Sequence, residues 1–265
     1  MRGKPFVIGA LLLAWSSAAL AADDEAICPD RPSKSTGPCT VPLGKWQIET
    51  GLADWTPDRS DGVTTDTIVW GNTAIKYGIA ANADVELWGT PLETMSIHGS
   101  GVHHHESSFG DTLLRVKYAI TKDDATVQVA LDPFVKLPTA NHRLGNGNVE
   151  AGLLVPVQIA LGKSPFTVAL DPEVDWLADQ DGSGYHAAMI QLVNLGWQAN
   201  SKLTFTTEIW RQWDWDPART GRQLSWDASV AYLPNKDLQL DAGANFGLNR
   251  QTPDLELYTG VSVRF

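Results

Sequence analysis

Long apolar runs are almost absent from this sequence. Residues 6–15 form one continuous apolar stretch, and nothing after them approaches the roughly 20 apolar residues that a membrane-spanning helix needs. If the mature chain crosses a membrane, it therefore has to cross as a closed β-barrel. The reason is that backbone amides in lipid must all be paired within the protein, which only a helix or a closed sheet achieves.

Basic residues are also in short supply. The chain has 20 Lys and Arg against 31 Asp and Glu, which gives a formal net charge of −11. Nucleic-acid binding depends on clustered positive charge that attracts the phosphate backbone. An acidic chain is a poor candidate for that class of protein, so we expect no nucleic-acid partner.

Cysteine is limited to Cys28 and Cys39, both near the N-terminus. A metal site would need further ligands, and the segment between them contains no histidine. An exported chain meets oxidising conditions, in which nearby cysteines pair. We therefore predict a local disulfide, with two free thiols as the alternative.

The first residues are typical of a secretory signal peptide. Two basic residues precede the apolar stretch, and small residues follow it up to Ala21. We predict a signal peptide over residues 1–21 and a mature chain that starts at Ala22. Residues 22–43 then form a periplasmic N-terminal segment that carries the disulfide. This segment either extends into the periplasm as a recruitment arm or folds into a barrel as a plug.

From Gly44 onward, apolar and polar residues alternate at period two, which indicates strands with one apolar and one polar face. The alternation is clearest over residues 237–250. The predicted strands cover residues 44–55, 63–79, 83–91, 109–121, 125–138, 148–162, 165–178, 185–198, 202–215, 223–233, 237–249 and 254–265. Most reach the roughly nine to eleven residues that a tilted transmembrane strand requires.

The connections between these strands alternate between short and long, as in outer-membrane barrels with short periplasmic turns and longer outer loops. The longest predicted loop covers residues 92–108. The pattern predicts an all-β, antiparallel, up-and-down transmembrane barrel of about twelve strands over residues 44–265, in the bacterial outer membrane. A soluble β-sandwich or lipocalin-like barrel is the alternative. It fits less well because nearly every strand shows one continuous apolar face.

Four motifs carry a family resemblance. They are PLGKWQIETG at residues 42–51, GDTLLRVKY at 110–118, KLPT with LGNG within 136–147, and YTGVSVRF at 258–265. With them the mature chain resembles the family described as "putative MetA-pathway of phenol degradation", whose members are commonly called transporters. That family is similar to the outer-membrane channel that exports functional amyloid subunits, which implies a twelve-stranded barrel. The resemblance also implies that Phe265 is the residue read by the barrel assembly machinery.

Alternation places many charged side chains on the inner face of such a barrel. The acids are Asp84, Glu86, Asp132, Glu150, Asp171, Glu173, Asp175, Glu208, Asp227, Asp241 and Glu256. The bases are Lys76, Arg115, Lys117, Lys136 and Arg264. An excess of acid in a narrow pore favours cations and neutral polar solutes.

Asp171, Glu173 and Asp175 form the tightest acidic cluster, on one face of one strand. Neighbours two residues apart on a strand lie roughly 7 Å from each other, close enough to share a cation. The alternative is that they pair across the lumen with Arg115, Lys117 or Lys136 and so close it.

Histidines are concentrated in the sequence VHHHE, which places His103, His104 and His105 in the longest predicted loop. Imidazoles there are weak candidates for a zinc or copper site. Adjacent histidines on a flexible loop are poorly preorganised, so a solvated loop is favoured and no metal or cofactor is expected.

Catalytic groups are not arranged in a recognisable motif. His186 lies beside Ser183, and His142 lies near Glu150, but no GxSxG sequence surrounds a serine. We therefore expect no enzymatic activity.

The function predicted from the sequence is an outer-membrane channel that passes small solutes through an acidic polar lumen, with small aromatic or hydrophobic compounds as further candidates. The alternative is a non-conducting structural barrel or one that exports a polypeptide. The expected partners are outer-membrane lipid, a small-molecule solute and the barrel assembly machinery. Homo-oligomer formation is left open.

Overall fold

The structure is a computed structural model that describes residues 26–60, 62–99, 101–141 and 145–265. The predicted signal peptide at 1–21, the start at Ala22 and the rest of the N-terminal segment up to residue 25 lie outside the described residues, as does His142. In the described residues no helix is both long and apolar enough to cross a membrane.

The described residues form one antiparallel sheet of 17 strand segments. The first nine are β1 (Trp46–Ser60), β2 (Val63–Trp70), β3 (Thr73–Ala80), β4 (Ala83–Gly89), β5 (Leu92–Gly99), β6 (Val102–Ser108), β7 (Thr112–Ala119), β8 (Val127–Leu137) and β9 (Glu150–Leu154). The others are β10 (Val157–Ala160), β11 (Phe166–Leu170), β12 (Glu173–Ala178), β13 (Tyr185–Asn200), β14 (Leu203–Asp214), β15 (Gly221–Asn235), β16 (Leu238–Gly247) and β17 (Leu255–Arg264).

These segments make up a closed barrel of twelve strands, as the sequence predicted. β1 pairs with β17, which joins the two edges of the sheet and leaves no open edge. Short interruptions divide five of the barrel strands, namely β2/β3, β4/β5, β6/β7, β9/β10 and β11/β12. Pro91, Pro156 and Pro172 lie in three of these gaps, where a residue without an N–H group cannot donate to the ladder.

The predicted loop over residues 92–108 is wrong. These residues form β5 and β6, which pair with each other, and β5 also pairs with β2. Likewise β1 continues to Ser60 instead of ending near residue 55. This outer part of the sheet has serine, threonine or histidine on both faces, so the period-two contrast that identifies a half-buried strand is missing.

The two faces of the barrel differ as the alternation predicted. In β16, Leu240 is 45% exposed on the outside, whereas its neighbours Gln239 and Asp241 are buried inside. Aromatic pairs on the outer face add cross-strand contacts, such as Trp46 with Tyr77 at 4.6 Å between ring centroids. The outer face therefore suits lipid, and polar side chains fill the interior.

The N-terminal segment lies inside the barrel. Between residues 30 and 41 it contacts polar side chains from opposite sides of the lumen, including Glu49, Asp171 and Asp241. We call residues 27–41 the plug. The sequence left two arrangements open for the N-terminal segment, and the contacts of these residues with the inner wall favour the plug over the periplasmic arm.

The plug is a hairpin that enters and leaves at the periplasmic end of the barrel. The N–H of Ile27 donates to the carbonyl of Lys236, and Leu43 bridges to Gly78, both at periplasmic turns. Cys28 and Cys39 form a disulfide between the two limbs, 11 positions apart in the sequence. The tip of the hairpin near Lys34 reaches Ser225, towards the outer end of β15.

Candidate functional site

One side of the inner wall carries most of its basic residues, mixed with acids such as Glu86 and Asp132, and we call it the basic side; the other side is largely acidic, and we call it the acidic side. The basic side comes from β3, β7 and β8, which carry Lys76, Arg115, Lys117 and Lys136. The acidic side comes from β14 to β17, which carry Glu208, Asp227, Asp241 and Glu256. The plug lies between the two sides and has charged residues of both signs.

Asp30 of the plug is seated on the basic side. Its carboxylate contacts the Lys76 ammonium and lies 2.6 Å from the Lys117 nitrogen. Lys76 is also 2.6 Å from Glu49 and 3.4 Å from Glu86, and all five groups are almost fully buried. A buried charge is tolerated only when it is paired, so this cluster fixes the position of Asp30.

The next charged residues of the plug face the opposite side. The Arg31 guanidinium donates to Asp241 at 3.0 Å, and the Lys34 ammonium lies 3.3 Å from Asp227. The backbone N–H of Lys34 donates to Glu208 at 2.8 Å. Adjacent plug residues Asp30 and Arg31 thus pair with opposite walls, and the segment bridges the lumen electrostatically.

The return limb of the plug is held by backbone hydrogen bonds. The N–H of Thr36 donates to Asp171 at 2.6 Å, and the N–H of Val41 donates to Asp84 at 2.7 Å. A carboxylate that accepts from a backbone amide is a charge-assisted hydrogen bond, which is stronger than a neutral one. Asp171 and Asp84 therefore join Asp241 and Glu208 as predicted lumen acids that accept hydrogen bonds from the plug.

Two glycines of the wall allow the plug to approach closely. A Cβ at Gly78 would overlap the carbonyl groups of Val41 and Pro42, and one at Gly260 would overlap the Arg31 guanidinium. Any side chain at these positions would have to displace the plug. The wall is therefore shaped to fit this segment.

The predicted cluster Asp171, Glu173 and Asp175 is divided by the structure. Asp171 lies in the gap between β11 and β12 and binds the plug, whereas Glu173 and Asp175 lie on β12. The bases proposed to neutralise them have other partners at ion-pair distance. Arg115 lies 3.7 Å from Asp132, Lys117 is next to Asp30 and Glu86, and Lys136 lies 2.8 Å from Glu150 and 3.0 Å from Asp111.

The histidine-rich sequence lies on strand β6 and not in a loop, which corrects the prediction. His104 is 2.8 Å from Glu106, and His105 is 2.9 Å from the Ser96 hydroxyl. Within the described ranges, no group of three or more His, Cys, Asp or Glu side chains is placed to hold a metal ion. His103, His104 and His105 are exposed on the outer hairpin.

His186 on β13 links the outer connection before β13 to the outer end of β14. Its ring nitrogens lie 2.8 Å from Asp179 and 2.8 Å from Asp214. The Ser183 hydroxyl donates to Asp179 and not to His186, so Ser183 and His186 do not form a nucleophile–base pair.

Asp216 lies in the outer connection between β14 and β15. Backbone N–H groups, mainly that of Gln180, donate to its carboxylate and lower its pKa below the usual range.

Sequence reasoning assigned acids and bases of the barrel strands to the inner face, but it did not single out Asp30, Arg31 and Lys34. The sequence gives little indication of their role, because the residues of the plug show no alternation of polar and apolar side chains. Charged residues in a proline-rich segment that is tied by a disulfide were the available hint.

The family model described as "Putative MetA-pathway of phenol degradation" matches residues 29–265 of this chain. The chain belongs to this family. The match includes most of the plug together with the whole barrel. A comparison with curated proteins found no match.

Comparison with solved structures found similar chains, among them a channel of the outer membrane. An outer membrane channel from Pseudomonas putida F1 is 14% identical, with 92% of this chain and 99% of that chain covered and a TM-score of 0.69. The transport unit of the autotransporter AIDA-I from Escherichia coli is 9% identical, with 84% and 90% covered and a TM-score of 0.52. The CymD monoaromatic hydrocarbon channel is 10% identical, with 84% and 88% covered and a TM-score of 0.46.

This family member is therefore an outer-membrane β-barrel, in agreement with the predicted fold and location. The lipid contact that the apolar outer face requires follows from that location.

Proposed function

We propose that this chain is an outer-membrane channel for small solutes whose lumen is closed by its own N-terminal plug and conducts when the plug shifts. The observation that supports this most directly is how the plug is held. It is anchored by ion pairs and hydrogen bonds to both walls, at Asp30, Arg31 and Lys34. The Arg31 and Lys34 side chains are 12% and 28% exposed, so water and ions can replace their polar contacts, whereas the buried pairs of Asp30 hold the other end of the plug.

The acid excess of the lumen supports a preference for cations and neutral polar solutes. Plug residues Arg31 and Lys34 neutralise part of the acidic side, and Glu256 lies beyond their ion pairs. Rings of one sign in a narrow pore select against ions of that sign. Among the predicted lumen residues, we propose Asp171, Glu173, Asp175, Asp132 and Glu150 as contributors to this selectivity.

Small aromatic or hydrophobic compounds remain further candidate solutes. A cavity of about 440 Å³ in the barrel wall is lined by Ile75, Leu87, Trp88 and Phe109, where β4/β5 and β6/β7 are interrupted. Apolar and aromatic lining of a concave site suits a small apolar ligand. This feature supports such solutes without identifying one.

The second candidate function is a non-conducting barrel with a structural or polypeptide-export role. The observation that favours it is the plug itself, since a filled lumen passes nothing while the plug stays in place. We propose that neither function involves catalysis. We also propose the barrel assembly machinery as a partner that recognises Phe265, whose backbone pairs with Trp46 where the barrel closes.

The test is single-channel recording of the full mature chain, refolded in detergent and inserted into a planar lipid bilayer under a potassium chloride gradient. We expect discrete openings of low probability and a reversal potential on the cation-selective side. Correct folding is checked first by the shift in gel mobility on heating. Silence from folded barrels, both with and without the plug, would support the non-conducting alternative.

The disulfide gives a second prediction. Replacement of both Cys28 and Cys39 by serine is expected to raise the open probability severalfold, because the two limbs of the plug then separate freely. A disulfide across a loop of this length stabilises by about 3 kcal/mol at most. The matched measurement is the wild-type channel before and after a reducing agent is added. An unchanged open probability in both would show that the ion pairs alone hold the plug.

A further inference from the structure

The register of the barrel aligns five polar side chains in one row across neighbouring strands. Asn194 pairs with Glu208, Glu208 with Asp227, Asp227 with Asn245, and Asn245 with Glu256. We call these five residues the acidic belt. Paired residues on adjacent strands have Cβ atoms about 5 Å apart, so the three carboxylates of the belt lie close together.

The tip of the plug supplies a cation to this belt. The Lys34 ammonium donates to the Ser225 hydroxyl at 3.0 Å, lies 3.3 Å from Asp227, and sits 4.7 Å from the centroid of the Trp210 ring. A hydroxyl, a carboxylate and an aromatic face are the groups that bind a primary ammonium. We call this set of three residues the ammonium seat.

The seat has hydrogen-bonding capacity that Lys34 leaves unused. Asp227 is 1% exposed and Asn245 is 5% exposed, and the Oδ1 atom of each is buried with no hydrogen-bond partner. Buried acceptors without a partner are costly, since they have lost water and gained nothing in return. Asp227 belongs to the seat and Asn245 is its partner on the next strand, so a donor bound there would satisfy both atoms.

A cavity of about 230 Å³ adjoins the seat on its outer side. Lys34, Trp210, Ser225, Asn245 and Glu256 line it, and Thr252 and Pro253 of the outer connection between β16 and β17 complete it. A solute that enters the barrel mouth from outside therefore meets the Lys34 ammonium together with acceptors of the belt.

We propose that this cavity binds a primary organic ammonium, which competes with Lys34 for the ammonium seat and so releases the tip of the plug. Lys34 is then an intramolecular competitor of the solute, and it belongs to the segment that closes the lumen. A small aromatic or alkyl amine has the right groups, because its NH₃⁺ matches the seat and its apolar part packs against Trp210 and Pro253. The proposal deepens the proposed channel function by naming a solute class and a trigger.

The experiment measures binding of benzylammonium chloride to the full mature chain in detergent micelles by titration calorimetry. In Lys34→Met the seat is vacant, and we expect affinity about tenfold higher than in the wild type, because the internal competitor is gone. In Asp227→Asn we expect binding at least about tenfold weaker, since the carboxylate is lost. Lys163→Met, which changes an exposed lysine in a turn far from the seat, is the matched control and should leave binding unchanged.

Benzyl alcohol separates recognition of the ammonium from recognition of the ring. We expect no measurable binding of the alcohol. Equal binding of the two compounds, or an unchanged affinity in Lys34→Met, would overturn the proposal. If Asp227→Asn does not fold, Trp210→Leu tests the same seat through its aromatic face. Because binding is measured without current, a silent barrel that binds the amine would contradict the channel function and leave this site intact.

Discussion

Deletion of residues 27–40 is expected to raise the single-channel conductance by about fivefold or more, since a twelve-stranded barrel without a filling segment encloses a wider aqueous path. The deletion removes Asp30, Arg31 and Lys34, which bridge the two sides of the lumen. It also exposes Asp241 and Asp227, so the reversal potential should shift further towards cation selectivity. Planar-bilayer recording under a salt gradient measures both quantities.

The matched control keeps the length of the plug and its backbone amides but removes its charged side chains. Residues 29–38 are replaced by glycine and serine, so that a chain of the same length remains in the barrel without charged groups. We expect noisy currents that lie between those of the deletion and the wild type. The same conductance in all three proteins would mean that the plug does not obstruct the conducting path.

The second large effect is expected from Lys76→Met. The Lys76 ammonium contacts Asp30 and lies within ion-pair distance of Glu49 and Glu86, with 2% of its side chain exposed. Its removal leaves three buried carboxylates with less compensation, and loss of one partner from a buried ion pair costs about 3–5 kcal/mol. The free energy of unfolding, from urea titration of the barrel in lipid vesicles, should fall by that order.

Two further variants test whether the loss of stability in Lys76→Met comes from the unpaired carboxylates. Lys163→Met removes a lysine from an exposed turn and should change the free energy of unfolding by less than about 0.5 kcal/mol. Adding Glu49→Gln to Lys76→Met removes one of the carboxylates left behind and should restore part of the loss. A stability for Lys76→Met within error of the wild type would show that water reaches this cluster and already screens its charges.

Many of the barrel strands could be predicted from the alternation of apolar and polar residues alone. β16 is an example, because Leu240 and Asp241 lie on opposite faces of the strand. Lipid on one face favours apolar residues and water on the other favours polar residues, so the residue type changes at every position. The same rule placed Asp84, Glu86, Lys76 and Lys117 in the lumen before their contacts were known. Alternation did not predict β5 and β6. There the sheet extends beyond the part of the barrel in which one face contacts lipid and the other faces the lumen.

The ion pairs could not be predicted from alternation. Alternation assigns a side chain to a face but does not say which strand lies across the lumen. The predicted neutralisation of Asp171, Glu173 and Asp175 by Arg115, Lys117 and Lys136 shows this limit. Those bases find Asp30, Glu86, Asp132, Asp111 and Glu150 instead, because register and plug position decide which charges meet.

The amino-acid sequence by itself determined the class of fold, the location of the polar face and the disulfide, because each follows from local pattern or from proximity along the chain. Only the tertiary structure decided that residues 27–41 lie inside the barrel, that Asp30 and Arg31 bind opposite walls, and that Lys34 occupies a seat beside Trp210. These contacts join residues up to 210 positions apart. Such pairs depend on closure of the barrel and on strand register, which no local pattern encodes.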